Sequence, residues 1–185
     1  MQIHKMKKRV FIIHGWGGSP IKDWMEWLAK QTPKEVHVFV LAMPNTDEPV
    51  IEAWINHLKT QVGDFDENTY FVGHSIGCQT ILRYLETQKT SCGGVLLVAP
   101  WFHLLEGADD IAKPWLETPM NFNVIKKNMK KCVCIFSDDD PYVPISDAAL
   151  FEKRLDCTII IEKNKLHYNE TEEPTLLPHY FQLFK

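Results

Sequence analysis

Ser75 stands in the run Gly73-His74-Ser75-Ile76-Gly77, which fits G-x-S-x-G. An apolar stretch ends at Val72, and a helically patterned stretch follows the serine at once. At a strand-to-helix junction this pentapeptide makes a nucleophile elbow. The serine takes a strained turn, and the flanking glycines spare the neighbouring backbone a clash. The hydroxyl is lifted above the sheet, and the helix N-terminus beneath it favours developing negative charge. The competing reading is a glycine-rich turn in which Ser75 does no more than cap the helix.

A serine hydroxyl is a weak nucleophile until a base takes its proton. In this architecture the chain order is serine, acid, histidine. Three histidines follow Ser75: His103, His167 and His179. His167 comes by a short polar loop after the apolar run Thr158 to Glu162, at the sheet edge where open α/β folds collect their sites. It is the expected base. His103 follows another strand at the same edge, as a rival base or a pocket-lining residue. His179 falls inside the last helical segment and reads as surface. The acid belongs after the fifth strand, where the chain reads Ser137-Asp138-Asp139-Asp140-Pro141-Tyr142-Val143-Pro144. Three adjacent carboxylates repel one another, and one of them must orient the imidazole and stabilise its cation. Asp140, directly before Pro141, is chosen. Asp138 and Asp139 are read as loop hydrogen-bonders or surface charge.

An oxyanion hole needs two N–H donors. Ile76 follows the nucleophile and supplies one. Trp16 supplies the other from the loop His14-Gly15-Trp16-Gly17-Gly18, whose glycines let backbone approach a substrate closely. That loop is not a phosphate cradle, because no Lys-Ser/Thr pair follows, and it lacks the dinucleotide fingerprint. Gly15, Trp101, His103 and Trp115 are the expected substrate-binding residues, together with His74, which supports the turn.

The elements that must position these groups alternate in type. Strands are expected at Arg9 to Ile13, Val36 to Leu41, Thr69 to Val72, Gly94 to Ala99, Val133 to Phe136 and Thr158 to Glu162. Helices are expected at Ile21 to Gln31, Glu48 to Gln61, Ile76 to Gln88, Ser146 to Leu155 and Thr175 to Phe184. Apolar strands separated by helices give a parallel sheet covered on both faces. One long connection, Pro100 to Met120, is rich in Pro, Trp, Gly and acid, as functional or mobile connections often are. Trp101, Phe102 and Trp115 within it serve as pocket wall or as core.

The 185 residues suggest one domain, 1–185. A net charge of -4 argues against nucleic acid or anionic membrane as the main partner. The short basic clusters Lys5 to Arg9 and Lys126 to Lys131 read as solvated surface. No apolar stretch reaches the roughly 20 residues a membrane span needs, and no signal-peptide pattern precedes Arg9. Five cysteines without framework spacing, Cys78, Cys92, Cys132, Cys134 and Cys157, are read as reduced and buried in a cytoplasmic protein. Cys132 and Cys134 share a strand face, but no CxxC or histidine pair completes a metal site.

Together the residues resemble the α/β-hydrolase superfamily: His14-Gly15 after the first strand, the elbow at Ser75, Asp140-Pro141-x-Val143-Pro144, and His167. More narrowly, "HGWGGSPIKDWMEWL", "MPNTDEP" and "SDDDPYVP" resemble the small cap-less serine hydrolases grouped with retinoblastoma-binding protein nine and bacterial YdeN. The resemblance covers nearly the whole chain. It implies a three-layer α/β sandwich with a six-stranded, mostly parallel sheet, and a triad of Ser75, Asp140 and His167. Leu166 departs from it, since many hydrolases place glycine before the histidine. The expected function is hydrolysis of a small ester, thioester or amide through an acyl-enzyme, with no cofactor or metal and a small acyl compound as partner. The alternative is a non-catalytic binding protein on the same fold.

Overall fold

The structure, a computed structural model, describes residues 7–105 and 110–185. Part of the basic cluster Lys5 to Arg9 and part of the connection Pro100 to Met120 therefore lie outside the described residues. The elements in order are β1 (Arg9–Ile13), α1 (Met25–Gln31), β2 (His37–Leu41), α2 (Ile51–Val62), β3 (Thr69–His74), α3 (Ile76–Glu86) and β4 (Gly94–Val98). They continue as α4 (Lys113–Glu117), α5 (Phe122–Lys127), β5 (Cys132–Ser137), α6 (Asp147–Leu155), β6 (Thr158–Glu162) and α7 (Leu177–Leu183). The strands form one sheet in the order β2-β1-β3-β4-β5-β6, and every pairing is parallel.

The two-residue period of the strands builds both faces of the core. Phe11, Ile13, Phe71, Val95 and Leu97 pack toward α2, α3, α5 and α6, against Trp54, Leu58, Ile81 and Phe151. Val10, Ile12, Val72, Leu96 and Val98 pack toward α1 and α7, against Trp24, Leu28, Tyr180 and Leu183. The central strands β3 and β4 are buried at every position, whereas edge strand β2 exposes alternate residues and edge strand β6 exposes Thr158 and Ile161.

Boundaries shift for local reasons. The first helix begins at Met25 rather than Ile21, because Ser19 to Trp24 forms turns and Asp23 adopts φ +54°. The second begins at Ile51 rather than Glu48, because the residue before Pro49 is driven away from helical backbone. Its N-cap residue Val50 is still extended. Two helices inside and after the long connection, α4 and α5, have no counterpart among the expected elements. Both are shorter than two turns, too short for a hydrophobic period to register.

The cysteine expectation needs correction. Cys132 and Cys157 form a disulfide, with Cα atoms 4.6 Å apart, and only Cys78, Cys92 and Cys134 are free among the described residues. Parallel pairing of β5 with β6 sets Val133 beside Thr158, and so brings the preceding residue of each strand together. That proximity is a property of the sheet, since the two stand 25 positions apart in sequence. Cys134 does share the face of Cys132, with the two sulfurs 3.9 Å apart.

Candidate active site

The chain leaves β1 toward β2 on one side and returns through β3 on the other, so the topological switch point lies between β1 and β3. Ligands in open α/β sheets bind outside the strand C-termini at such a point. The register aligns Ile13 with Gly73, His74 with Val98, and Ser137 with Glu162. Loops after β1, β3, β4, β5 and β6 therefore leave from one edge.

Ser75 heads α3 from the end of β3, with φ +52° and ψ -119°. A non-glycine residue held in so sparsely populated a conformation costs about 1–3 kcal/mol and is kept only where its surroundings over-determine it. Those surroundings are close backbone. A Cβ on Gly73 would lie 2.8 Å from Cys78 N, and one on Gly77 would lie 2.4 Å from Ile13 O. Glycine at both positions lets α3 start directly over β1. The N–H of Ile76, the first residue of α3, has no acceptor within the helix. The N–H of Trp16 is likewise untaken among the described residues.

The segment Met43 to Pro49 fixes the loop after β1. Met43 N–H donates to His14 Nε2 (3.2 Å), Gly17 N–H to Thr46 O (2.8 Å), and the Trp16 indole N–H to Asp47 O (2.9 Å). His14 is thus the Nδ1–H tautomer, donating to its neighbour Gly15 O (2.9 Å), and burial lowers its pKa. Through these bonds the backbone of the "MPNTDEP" run anchors the loop that carries Trp16.

His167 and Asp140 meet directly. His167 Nδ1 lies 2.7 Å from Asp140 Oδ2, and both side chains are buried. Asp140 Oδ1 accepts from Tyr142 N–H (2.9 Å) and Val143 N–H (3.0 Å). With one carboxylate oxygen pinned by backbone, the other is aimed at the imidazole. The two neighbouring carboxylates bond elsewhere. Asp138 Oδ1 accepts from Asn164 N–H (3.0 Å), and Asp139 Oδ1 from Leu166 N–H (2.9 Å) and the Ser137 hydroxyl (2.6 Å). The hydrogen bond from Ser137 is the main cause holding the Asp139 carboxyl below its usual range. Asp138 and Asp139 therefore clamp the loop that presents His167. Leu166 takes φ +48° where many hydrolases place glycine, and its side chain points to solvent, 57% exposed.

His74 lies beneath this assembly. It is buried, and its Nε2 donates to His167 O (2.8 Å). Burial, reinforced by the His167 and His14 charges, lowers its pKa to about 3. It is a neutral brace for the histidine loop.

One pocket of about 520 Å³ collects these groups, lined by Gly15, Trp16, His74, Ser75, Trp101 and His167 among others. Of the expected substrate-binding residues, Gly15, His74 and Trp101 are in its wall. His103 and Trp115 are not. His103 turns outward, its Nδ1 2.6 Å from buried Asp147 Oδ1, while the Phe102 and His103 N–H groups bond Asp147 Oδ2. Trp115 is core: its indole N–H donates to Pro49 O (2.9 Å), and it packs edge-on to Trp54. Six wall residues, Lys22, Asp23, Leu104, Ala112, Tyr142 and Asn169, are not among those expected from sequence. All six come from loops at the same sheet edge, which was the signal available. No hydrogen bond to Ser75 Oγ is present among the described residues, and such bonds are often long before substrate binds.

The chain is 32% identical to YdeN of Bacillus subtilis over 176 residues, 94% of this chain and 92% of that protein. The crystal structure of the B. subtilis ydeN gene product superposes with a TM-score of 0.86, at 28% identity, covering 96% of this chain and 98% of the other. Serine hydrolase RBBP9 of Rattus norvegicus is 25% identical over 169 residues, 89% of each chain. Est1E of Butyrivibrio proteoclasticus, 14% identical with a TM-score of 0.73 over 98% of this chain and 87% of the other, shares the α/β-hydrolase fold. The family model described as serine hydrolase matches residues 10–185, and the chain belongs to that family.

Proposed function

We propose that the chain is a carboxylesterase-like serine hydrolase acting on small esters, thioesters or amides through an acyl-enzyme on Ser75. The observation that carries this reading is the 2.7 Å contact of Asp140 with His167, in one pocket with a serine held at φ +52°. In the first half-reaction Ser75 Oγ attacks the substrate carbonyl carbon and His167 Nε2 takes its proton. Asp140 holds Nδ1–H in place and stabilises the imidazolium. The N–H groups of Ile76 and Trp16 receive the oxyanion. Collapse breaks the carbonyl–heteroatom bond, and His167 returns the proton to the leaving group. Water then repeats the sequence, releasing the acid and restoring Ser75. A pocket of about 520 Å³ holds a small ligand and suits short acyl groups.

The alternative, a binding protein on the same fold, has no use for a strained serine beside an Asp–His pair. A fluorophosphonate probe decides between them. The parent is expected to label covalently and Ser75→Ala to lose labelling while unfolding at nearly the parent temperature. Equal labelling of Ser75→Ala removes the assignment. The compartment is also open to test. Three free thiols suit a reducing interior and the Cys132–Cys157 bond an oxidising one, so trapping thiols in fractionated cells distinguishes them. No helix of the described residues is long and apolar enough to cross a membrane.

A further inference from the structure

The pocket wall is divided. Trp16, Trp101, Leu104, Ala112 and Tyr142 make most of it apolar and aromatic, while Lys22, Asp23 and Asn169 make a polar corner. Asn169 is two residues past His167, and its amide donates to Asp23 Oδ2 over a long 3.5 Å. That is the only hydrogen bond to the Asp23 carboxylate among the described residues, and no cation pairs with it there. Lys22 is adjacent, but its Nζ bonds Gly17 O (3.2 Å), and the side chain is exposed where water screens its charge. Asp23 is half-buried, and its loss of solvation raises its carboxyl above the usual range. Its contact with Asn169 lies at the exposed rim of the pocket, so the carboxylate keeps lone pairs that a bound ligand can take over from water. The residue is also fixed in place by a left-handed backbone, φ +54°.

We propose that Asp23 is a specificity-determining residue that receives a cationic group, an ammonium, on the leaving-group side of the substrate. The side follows from His167, which must hand its proton to the leaving atom and which shares this corner with Asn169 and Asp23. The apolar wall is left for the acyl group. The preferred substrate class is thus an apolar acyl ester or amide of an amino alcohol or amine. This assignment rests on the proposed triad, since it takes the His167 side as the leaving-group side.

The test uses butanoate esters of choline and of its neutral isostere 3,3-dimethylbutanol, with the parent chain and with Asp23→Asn. Turnover of the neutral ester by the parent checks the triad by itself. The quantity that tests Asp23 is the ratio of kcat/KM for choline over neutral ester, in which any general damage from the substitution cancels. The parent ratio is expected to be tenfold or more and to fall to within threefold of unity in Asp23→Asn. A parent ratio near one, or an unchanged ratio in Asp23→Asn, overturns the assignment while leaving the triad intact. A third ester carrying its ammonium on the acyl group fixes the side: preference for it over the choline ester refutes the leaving-group placement. A parent that cleaves no ester at all sinks the triad instead.

Discussion

Asp140→Asn isolates the orienting carboxylate with almost no change of shape. The structure dictates which way the new amide must face. Tyr142 and Val143 N–H both donate to Oδ1 and need an acceptor there, so the amide oxygen stays at that position. The NH₂ is then directed at His167 Nδ1, 2.7 Å from the oxygen it replaces. Facing a donor, Nδ1 must become the acceptor, and the imidazole proton moves to Nε2. In that tautomer Nε2 cannot take a proton from Ser75. Loss of an orienting acid of this kind typically costs on the order of 10⁴ in turnover, or about 5.5 kcal/mol of transition-state stabilisation. Folding should suffer little, since both backbone bonds survive. Asp138→Asn and Asp139→Asn each retain an oxygen for the N–H groups of Asn164 or Leu166. Their kcat should stay within about tenfold of the parent, which is roughly 1.4 kcal/mol. The assay is kcat on one p-nitrophenyl ester for all three variants, alongside their urea midpoints. If Asp140→Asn keeps a tenth of the parent rate, or if Asp139→Asn loses as much, the tautomer reasoning fails.

Acid stability tests the neutral brace at His74. Its folded pKa, about 3, is depressed below 6.5, so the unfolded chain binds the extra proton between those values and stability falls as pH drops through that window. The loss should reach about 1.4 kcal/mol per pH unit from this group; urea unfolding at pH 6.5 and 4.5 should show a shallower slope in His74→Asn, and parallel slopes would contradict it. The disulfide makes a separate claim: alkylation in denaturant without reductant should modify three cysteines rather than five, and Cys157→Ser should cost about 3 kcal/mol for a bridge closing a loop of this length. Five modified thiols in freshly purified protein would refute the bond.

What the sequence determined was local or ordinal. The elbow is legible because its signature is five consecutive residues, although only Gly73 answers a contact within that turn and Gly77 answers Ile13 O at the end of β1. The strands are legible because burial on both faces removes polar residues from consecutive positions, as in Val95 to Val98. The order serine, acid, histidine narrowed the acid to Asp138, Asp139 or Asp140 and the base to His103 or His167, with Asp140 taken for its place before Pro141 and His167 for its short loop after the last strand. The tertiary structure decided what depends on distance through space. His103 and His167 both follow strands at one sheet edge, yet only the fold assigns Asp147 to one and Asp140 to the other. Trp101 and Trp115 lie in one connection, but one reaches the pocket and the other turns into the core against Trp54. Asp23 meets Asn169 across 146 residues, and Cys132 meets Cys157 across a pair of parallel strands. Residue type and spacing constrain a backbone over a few positions, whereas these pairings are set by strand order and register, which spacing along the chain does not encode.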